Sequence, residues 1–327
     1  MRQLDHDGYA DRLDDAARAA WLYYFAGYTQ ERIARYLGVS RQTAQRMISL
    51  ALREKLVRIR MEHPILRCME LSHAMTTTFG LKHCEVVPSD PQAPQGVAGL
   101  AQAAAVAMER ALSSTRPLVV SVGTGRSLRA AVEDLEPMNR PQHLIVARLG
   151  HMMPDGLATP FNVVVRLADR INASHYPMPL PIYARNARER ALYAMLDPVR
   201  QIHELSARAD VTFMGIGNIG LDGPLAMDGF MSQDEVAGYI AAGAVGEVTG
   251  WIFDAEGRLI EGLANDRVNS VPLRQATDSH PIHAVAAGVS KAAAIRAAMR
   301  GGFINCLVTN EATAEAVLAL EGGGRRG

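Results

Sequence analysis

One short loop in the middle of the chain carries residue types that bind an anion. The segment Gly123–Ser127 reads Gly-Thr-Gly-Arg-Ser and follows the apolar run Pro117–Val122. Its backbone N–H groups, two hydroxyls and one guanidinium are all donors that suit a phosphate, especially at the start of a helix. The spacing therefore predicts a phosphate cradle. A close-packed strand-to-helix turn without a ligand would have the same sequence, so this loop alone leaves both interpretations open.

Two common nucleotide-binding patterns do not fit this loop. A dinucleotide-binding turn has a third glycine, and Leu128 occupies that position here. The lysine of a triphosphate-binding loop is also missing. The sequence thus disfavours NAD binding and triphosphate hydrolysis, and we expect no cofactor.

Other residues could join the same site. Gly215-Ile216-Gly217 ends a second apolar run in the same way as the first loop. Asp266 offers a carboxylate for sugar hydroxyls, although a turn with a structural ion pair would look similar. Lys291 begins a helix, where the helix dipole favours acids over bases. A nearby anion would explain this lysine better than a solvated helix face.

A second set of residues, near the amino end, has the pattern of a DNA-reading helix-turn-helix. Thr29 and Ser40 stand at the N-cap positions of two short helices, and Gly38 suits the left-handed turn between them. Side chains on the second helix could bond to base edges in the major groove. The candidate DNA-binding residues are Ser40, Arg41, Gln42, Thr43, Gln45 and Arg46. A helical hairpin with no nucleic-acid partner is the alternative.

The charge distribution favours the DNA-binding interpretation. The 327-residue chain has a formal net charge of zero, but residues 29–60 contain eight Arg or Lys and two Glu, a local charge of +6. A basic patch on a neutral body can bind phosphates without general adhesion to anions. The run Leu56–Arg60 alternates apolar and basic residues and predicts a short strand or wing, whose arginines could contact phosphates or face solvent.

Regular elements must position both sets of residues. An apolar stripe at helical spacing precedes the helix-turn-helix, and we interpret its aromatic members as core rather than as a platform for bases. The stripe consists of Leu13, Ala16, Ala17, Ala20, Trp21, Tyr24 and Phe25. From residue 117 onwards, short apolar strands alternate with helices, with strands at 117–122, 144–147, 211–214, 283–287 and 304–309. This alternation predicts an α/β fold with an open parallel sheet of Rossmann type.

Composition limits the remaining classes of protein. Cys68, Cys84 and Cys306 have no metal-ligand spacing and are odd in number, which is typical of reduced thiols inside the cell. The ten histidines are scattered, so we expect no metal. The amino end is polar rather than a signal peptide, and no apolar run approaches the ~20 residues of a membrane span. We therefore expect a cytoplasmic protein with no membrane partner.

Several stretches together resemble the SorC-type sugar-binding transcriptional regulators, also named for deoxyribonucleoside regulators, over nearly the whole chain. The stretches are residues 121–125 (SVGTG), 215–217 (GIG), 243–247 (GAVGE), 253–257 (FDAEG) and 287–302 (AGVSKAAAIRAAMRGG). The resemblance implies a DNA-binding domain, which we place at 1–61, and an effector and oligomerisation domain at 62–327 related to sugar-phosphate isomerases. It also implies a phosphorylated sugar or polyol as effector. A homo-oligomer, dimer or tetramer, would bind double-stranded operator DNA.

The resemblance assigns residues to the effector as well. Lys291 matches a lysine near the effector phosphate, Asp266 an acidic position that meets sugar hydroxyls, and Arg148 a further phosphate contact of some relatives. Gly217, in the second glycine turn, belongs to the same candidate site. The phosphate-loop role falls on Gly123, Thr124, Gly125, Arg126 and Ser127. The chain departs from members with two threonines in this loop, since Arg126 and Ser127 follow the second glycine.

Two other functions stay open at this point. An isomerase-like or kinase-like enzyme would need a general base, for which Asp266 and Glu247 are candidates, and Lys291 could form a Schiff base. A DNA-binding module with a ligand-free second domain is the third possibility. The sequence has no convincing acid–base pair, so a regulator without enzyme activity is the favoured hypothesis.

Overall fold

The computed structural model describes residues 4–57, 64–89, 99–153 and 156–323. The chain divides into two compact units, Met1–Glu62 and His63–Gly327. Within the described ranges, no helix has both the length and the apolar character that crossing a bilayer requires.

The described part of the amino-terminal unit, residues 4–57, contains three helices. They are α1 (Leu4–Tyr24), α2 (Gln30–Leu37) and α3 (Arg41–Arg53). Thr29 caps α2, and Ser40 caps α3 by accepting a hydrogen bond from the N–H of Thr43 at 3.1 Å. Gly38 ends α2 with φ +67°, a left-handed conformation that favours glycine. The predicted helix-turn-helix is therefore confirmed down to its caps.

The core of this unit lies between α1 and the other two helices. Ile33, Ala44 and Ile48 pack against Ala19 and Leu22 of α1.

The interpretation of the stripe's aromatic residues as core is wrong for two of the three, since Trp21 is 57% and Phe25 70% exposed. Fully buried alanines at 16, 19 and 20 instead form the inward face, because their small side chains let α3 approach α1 closely. Leu56 and Val57 lie in a bend, and the rest of the predicted wing, residues 58–60, lies outside the described residues.

The carboxy-terminal unit alternates strands and helices. Its strands are β1 (His83–Val87), β2 (Val119–Val122), β3 (Leu144–Met152), β4 (Ser174–Pro181), β5 (Val211–Met214), β6 (Gly217–Asn218), β7 (Ala244–Val248), β8 (Trp251–Asp254), β9 (Ile282–Val285) and β10 (Cys306–Asn310). Its helices are α4 (Pro64–Phe79), α5 (Leu100–Leu112), α6 (Arg126–Asp134), α7 (Val163–Ile171), α8 (Ala187–Ala194), α9 (Asp197–Ala207), α10 (Pro224–Met227), α11 (Gln233–Ala241), α12 (Ala292–Arg300) and α13 (Glu311–Gly323), and a 3₁₀ turn, Val289–Lys291, precedes α12.

Seven parallel strands form one sheet in the order β1-β10-β9-β5-β2-β3-β4. Apolar clusters cover both faces: Leu128 and Leu167 belong to one, and Ile295 and Val317 to the other. Burial on both faces explains why these short strands are almost continuously apolar. The predicted open α/β fold of Rossmann type is confirmed.

The strand order reverses direction between β2 and β5. From β2 the chain proceeds outwards to β3 and β4, whereas β5, β9 and β10 succeed one another on the other side. The connections after β2 and β5 therefore diverge and leave a crevice at the carboxyl edge of the sheet, where ligands bind in such folds.

A small lobe, residues 217–264, adjoins this crevice. It contains the antiparallel strands β6, β7 and β8 together with α10 and α11. Its own apolar core includes Leu225, Met231, Val236 and Tyr239.

The three cysteines are buried free thiols. Burial raises the pKa of Cys84 to about 12 and that of Cys306 to about 11. No group of three or more His, Cys, Asp or Glu side chains suited to a metal ion occurs in the described part of the chain.

Candidate functional site

A cavity of about 100 Å³ lies at the carboxyl edge of the large sheet, where the segments after β2, β5 and β9 meet. Six of the residues that the sequence analysis assigned to the effector line it together. They are Thr124, Gly125, Arg126 and Ser127 after β2, Gly217 after β5, and Lys291 after β9. Positions more than 160 residues apart in the chain thus share one site.

The glycine loop, residues 123–127, leaves backbone N–H donors free at the start of α6. Gly125 is the N-cap of this helix and offers no side-chain cap, and no side chain of the described residues bonds to the first-turn amides. Gly125 has φ +123°, which favours glycine, and a Cβ there would meet no atom within 4 Å. A helix N-terminus with open space before it is suited to an anion.

The first two residues of the loop, Gly123 and Thr124, hold it in place. Gly123 donates its N–H to the carbonyl of Phe213 at 2.8 Å, and a Cβ on residue 123 would lie 3.1 Å from that of Met214. Thr124 donates its hydroxyl to the carbonyl of Phe161 at 2.7 Å. Gly123 is therefore needed for close packing of the loop on β5, and Thr124 anchors it.

In the part of the chain that the structure describes, two cations and two carboxylates line the cavity. Arg126 forms an ion pair with Asp228 and extends over the ring of Phe161, with Cζ 5.1 Å from the ring centroid. Glu247 accepts a hydrogen bond from the N–H of Gly250 at 2.9 Å. Lys291 is the second cation.

Burial shifts the pKa of two of these groups, Glu247 and Lys291. It raises the pKa of Glu247, and the charge of Asp228 acts in the same direction, whereas the Gly250 N–H and Lys291 oppose the shift. Burial also lowers the pKa of Lys291, with Arg126 reinforcing and Glu247 opposing the change. Such perturbed, partly desolvated charges are typical of a binding or catalytic site.

Sequence reasoning missed several lining residues. Asp228 and Phe161 belong to no recognisable motif, and the sequence indicates Glu247 only as a candidate general base. Thr249 also lines the cavity and adds a hydroxyl. A signal existed for Glu247 alone, since it ends the glycine-rich stretch 243–247.

Arg148 is not among the described residues that line this cavity. It lies in the middle of β3, which continues to Met152 rather than ending at residue 147, so its side chain is buried instead of facing the sheet edge. It donates to the carbonyl of Pro272 at 3.2 Å, and burial beside Arg274 lowers its pKa to about 10. Nothing here supports a phosphate contact by Arg148.

Asp266 is also placed elsewhere. It lines a separate groove with Arg190 and His203. The turn that holds it is fixed by its neighbours: Asn265 is buried and bonded to β8, and Arg267 pairs with Glu235 at 2.6 Å. This is the structural ion pair that the sequence left as an alternative.

The candidate DNA-binding residues share one face of α3. Arg41, Gln42, Gln45 and Arg46 are exposed, while Ala44 and Ile48 are buried beneath them. Ser40 and Thr43 bond to each other through their hydroxyls at 2.8 Å. The helix therefore presents two guanidinium and two amide side chains to solvent.

Both units match known families. Residues 63–319 match the family described as "Putative sugar-binding domain", and residues 12–56 match a homeodomain-like domain. The chain is 31% identical over 315 residues to the erythritol catabolism regulatory protein EryD of Brucella abortus (strain 2308), covering 96% of this chain and 99% of EryD. It is 30% identical over 307 residues to the transcriptional regulator LsrR of Klebsiella pneumoniae, covering 93% and 92%.

Solved structures share the architecture. The full-length sorbitol operon regulator SorC from Klebsiella pneumoniae matches with a TM-score of 0.69 and 25% identity, covering 94% of this chain and 99% of SorC. A DeoR family transcriptional regulator from Listeria monocytogenes matches with a TM-score of 0.70, covering 76% of this chain and 99% of the other. At 17% identity, this second likeness shows the fold alone.

Proposed function

Because the chain belongs to the SorC-type family of sugar-binding transcriptional regulators, we propose that its effector is a phosphorylated sugar or polyol bound at the glycine loop. The protein is a DNA-binding regulator of a carbohydrate or polyol catabolic operon, controlled by a sugar effector. Its relatives are named as regulators, which decides against the isomerase-like or kinase-like alternative.

One observation carries the proposal of a phosphate. The uncapped amides of α6, the Arg126 guanidinium and the Lys291 ammonium converge on one cavity. Charge-assisted hydrogen bonds from these groups favour an oxyanion over a neutral hydroxyl. Glu247 and Thr249 at the same cavity are acceptors for the hydroxyls of the remaining carbon chain.

We place the DNA contact on α3. Arg41 and Arg46 suit guanine edges and phosphates, and Gln42 and Gln45 suit adenine edges. Phosphate contacts would make the affinity fall steeply with salt. Ser40 and Thr43 would serve mainly to hold the start of the helix.

We further propose that the protein acts in the cytoplasm as a homo-oligomer, a dimer or a tetramer. A single helix-turn-helix buries too little surface for operator specificity, so two copies on repeated half-sites are needed. The effector regulates only if it binds the DNA-competent and DNA-incompetent states with unequal affinity.

A thermal-shift panel tests the effector proposal. It pairs each phosphorylated sugar or polyol with its unphosphorylated parent, and it includes tetritol phosphates because one relative is named for erythritol catabolism. We expect only phosphorylated compounds to raise the melting temperature, and Lys291→Ala to abolish the shift. Arg188→Ala, which removes an exposed cation of α8, is the control. A shift that survives Lys291→Ala would move the site elsewhere.

Binding to DNA is tested with the same compounds. Fluorescence anisotropy should show a preference for the protein's own promoter fragment over random duplex, and the active compound should change that preference. Arg46→Ala should weaken binding and reduce its salt dependence, whereas Arg18→Ala on the exposed side of α1 should not. Equal binding to both duplexes, with and without the compounds, would contradict the proposal.

The lowered pKa of Lys291 also suits an imine with an open-chain aldose phosphate. Borohydride trapping followed by mass spectrometry separates the two modes of binding. We expect no adduct at Lys291, because a plain phosphate contact leaves no reducible bond.

A further inference from the structure

The ion pair between Arg126 and Asp228 joins the two parts of the cavity. Arg126 belongs to the glycine loop of the large sheet, and Asp228 follows α10 in the small lobe. The side chain of Asp228 is 16% exposed and that of Arg126 51%. The acid is thus held in the cavity wall, while the guanidinium remains within reach of solvent and of a ligand.

Among the described residues, the charges that line the cavity cancel within the protein. Arg126 and Lys291 are matched by Asp228 and Glu247, all of which line the same space. A phosphate monoester brings nearly two further negative charges at neutral pH. A phosphate bound to Arg126 would therefore lie close to the carboxylate of Asp228, and the two negative charges would repel each other.

We propose that Asp228 and the effector's phosphate compete for Arg126, so that binding exchanges one anion for the other on the same guanidinium. This inference rests on the proposed function, because it concerns how the same site accepts its phosphate. Asp228 is then a specificity-determining residue. A phosphate can replace a carboxylate on arginine with two charge-assisted bonds, whereas a neutral sugar hydroxyl cannot.

The exchange has a consequence for the small lobe. The backbone after α10 is a tight turn, in which Asp228, Gly229, Phe230 and Met231 donate their N–H groups back to residues 224–226. The ion pair ties this turn to the glycine loop. Release of Asp228 would remove this contact between the small lobe and the large sheet. Effector binding would then favour a state of the protein in which the lobe is held less tightly.

Inorganic phosphate is the probe for a direct test by titration calorimetry. Because a partly exposed ion pair is a weak competitor, we expect Asp228→Asn and Asp228→Ala to bind phosphate about three- to fivefold more tightly than the wild type. The alanine variant excludes a new hydrogen bond from asparagine as the cause. Asp234→Asn is the matched control, since it removes the same charge from an exposed position of α11 in the same lobe.

A double-mutant cycle sharpens the assignment. In an Arg126→Ala background, Asp228→Asn should give a smaller gain in phosphate affinity than it gives with Arg126 present, because relief of charge repulsion remains but competition for the guanidinium does not. Equal or weaker phosphate binding by both Asp228 variants would overturn the exchange while leaving the anion site in place. Failure of the wild type and all variants to bind phosphate would overturn the anion site itself, and the exchange with it.

Hydrogen exchange gives an independent readout on the full chain. Amides 228–231 should exchange faster in Asp228→Asn than in the wild type, and phosphate should produce the same change in the wild type. Added phosphate should cause no further change at these amides in the variant. Unchanged exchange in the wild type on phosphate binding would contradict the release of Asp228.

Discussion

Gly217 makes room for the carboxylate of Glu247. The two residues face each other across β6 and β7, and a Cβ on residue 217 would lie 2.3 Å from Oε1 of Glu247. The other carboxylate oxygen, Oε2, accepts the N–H of Gly250. The glycine at this position is therefore required by a neighbouring side chain that lines the cavity.

We expect Gly217→Ala to weaken binding of the active phosphorylated compound at least severalfold. The new methyl group would turn Glu247 away from Gly250 and into the cavity. The free energy of unfolding should fall by only about 1–2 kcal/mol, because a flexible carboxylate moves and one hydrogen bond is lost.

Gly238→Ala is the control for this change. Residue 238 lies in α11 of the same lobe, and a Cβ there would meet nothing within 4 Å. Alanine should stabilise the helix by roughly 0.5–1 kcal/mol without changing binding. Unaltered ligand affinity in Gly217→Ala would show that Glu247 has no part in the site.

The affinity for inorganic phosphate should fall as the pH rises from 8 towards 10. Burial lowers the pKa of Lys291 from its ordinary value of 10.5, so its ammonium loses the proton earlier than a free lysine does. Inorganic phosphate is already mostly the dianion at pH 8, so its own charge changes little in this range. Loss of the ammonium therefore removes one of two cations from the site.

Lys291→Arg is the variant that checks this pH dependence by calorimetry. A guanidinium stays charged throughout the range, so phosphate affinity in the variant should be nearly flat between pH 8 and 10. A parallel decline in both proteins would assign the titration to another group.

The anion site was only partly predictable from the sequence. The glycine loop and Lys291 carry local signals, namely a turn after an apolar strand and a basic residue at a helix start. Asp228 carries none, because its role depends on a lobe that folds back more than 90 residues after Arg126. For Arg148, the error was the strand end, which lies five residues beyond the predicted one.

The fold, like the anion site, was only partly predictable from the sequence. The buried central strands were predicted because burial on both faces makes them apolar throughout. The strand β4 was not predicted, since Pro177, Pro179 and Pro181 are unfavourable in a sheet. It tolerates them because it stands at the edge of the described sheet, where β3 is its one neighbour. Edge position is a property of the assembled sheet, and no local pattern reports it.

Ile33→Ala should abolish DNA binding and leave effector binding intact. Ile33 is fully buried in the core of the amino-terminal unit, and truncation of such a residue costs about 2–5 kcal/mol. A three-helix unit of this size has little more stability than that. We expect calorimetry to show loss of one transition and an unchanged, ligand-sensitive second transition.

Leu56→Ala serves as the control for this experiment, because Leu56 is 41% exposed in the same unit. It should retain both transitions and DNA binding. Loss of ligand binding in Ile33→Ala would indicate that the second unit does not fold independently of the first.

Acid should destabilise the carboxy-terminal unit between about pH 6.5 and pH 4. Burial lowers the pKa of both His280 and His283 to about 4, so the folded protein keeps them neutral where the unfolded chain binds protons. The free energy of unfolding should then fall by up to about 1.4 kcal/mol per pH unit for each histidine as the pH decreases through this window.

His283→Phe isolates one of these contributions. The His283 ring lies 5.0 Å from that of Phe213, and its buried Nδ1 has no hydrogen-bond partner among the described residues. Phenylalanine fits the same aromatic contact and removes the titrating group. Urea unfolding at pH 7, 6 and 5 should give a shallower pH dependence for the variant and a similar stability at pH 7. An identical slope in both proteins would mean that His283 is not protonated on unfolding in this range, and that other groups cause the loss of stability.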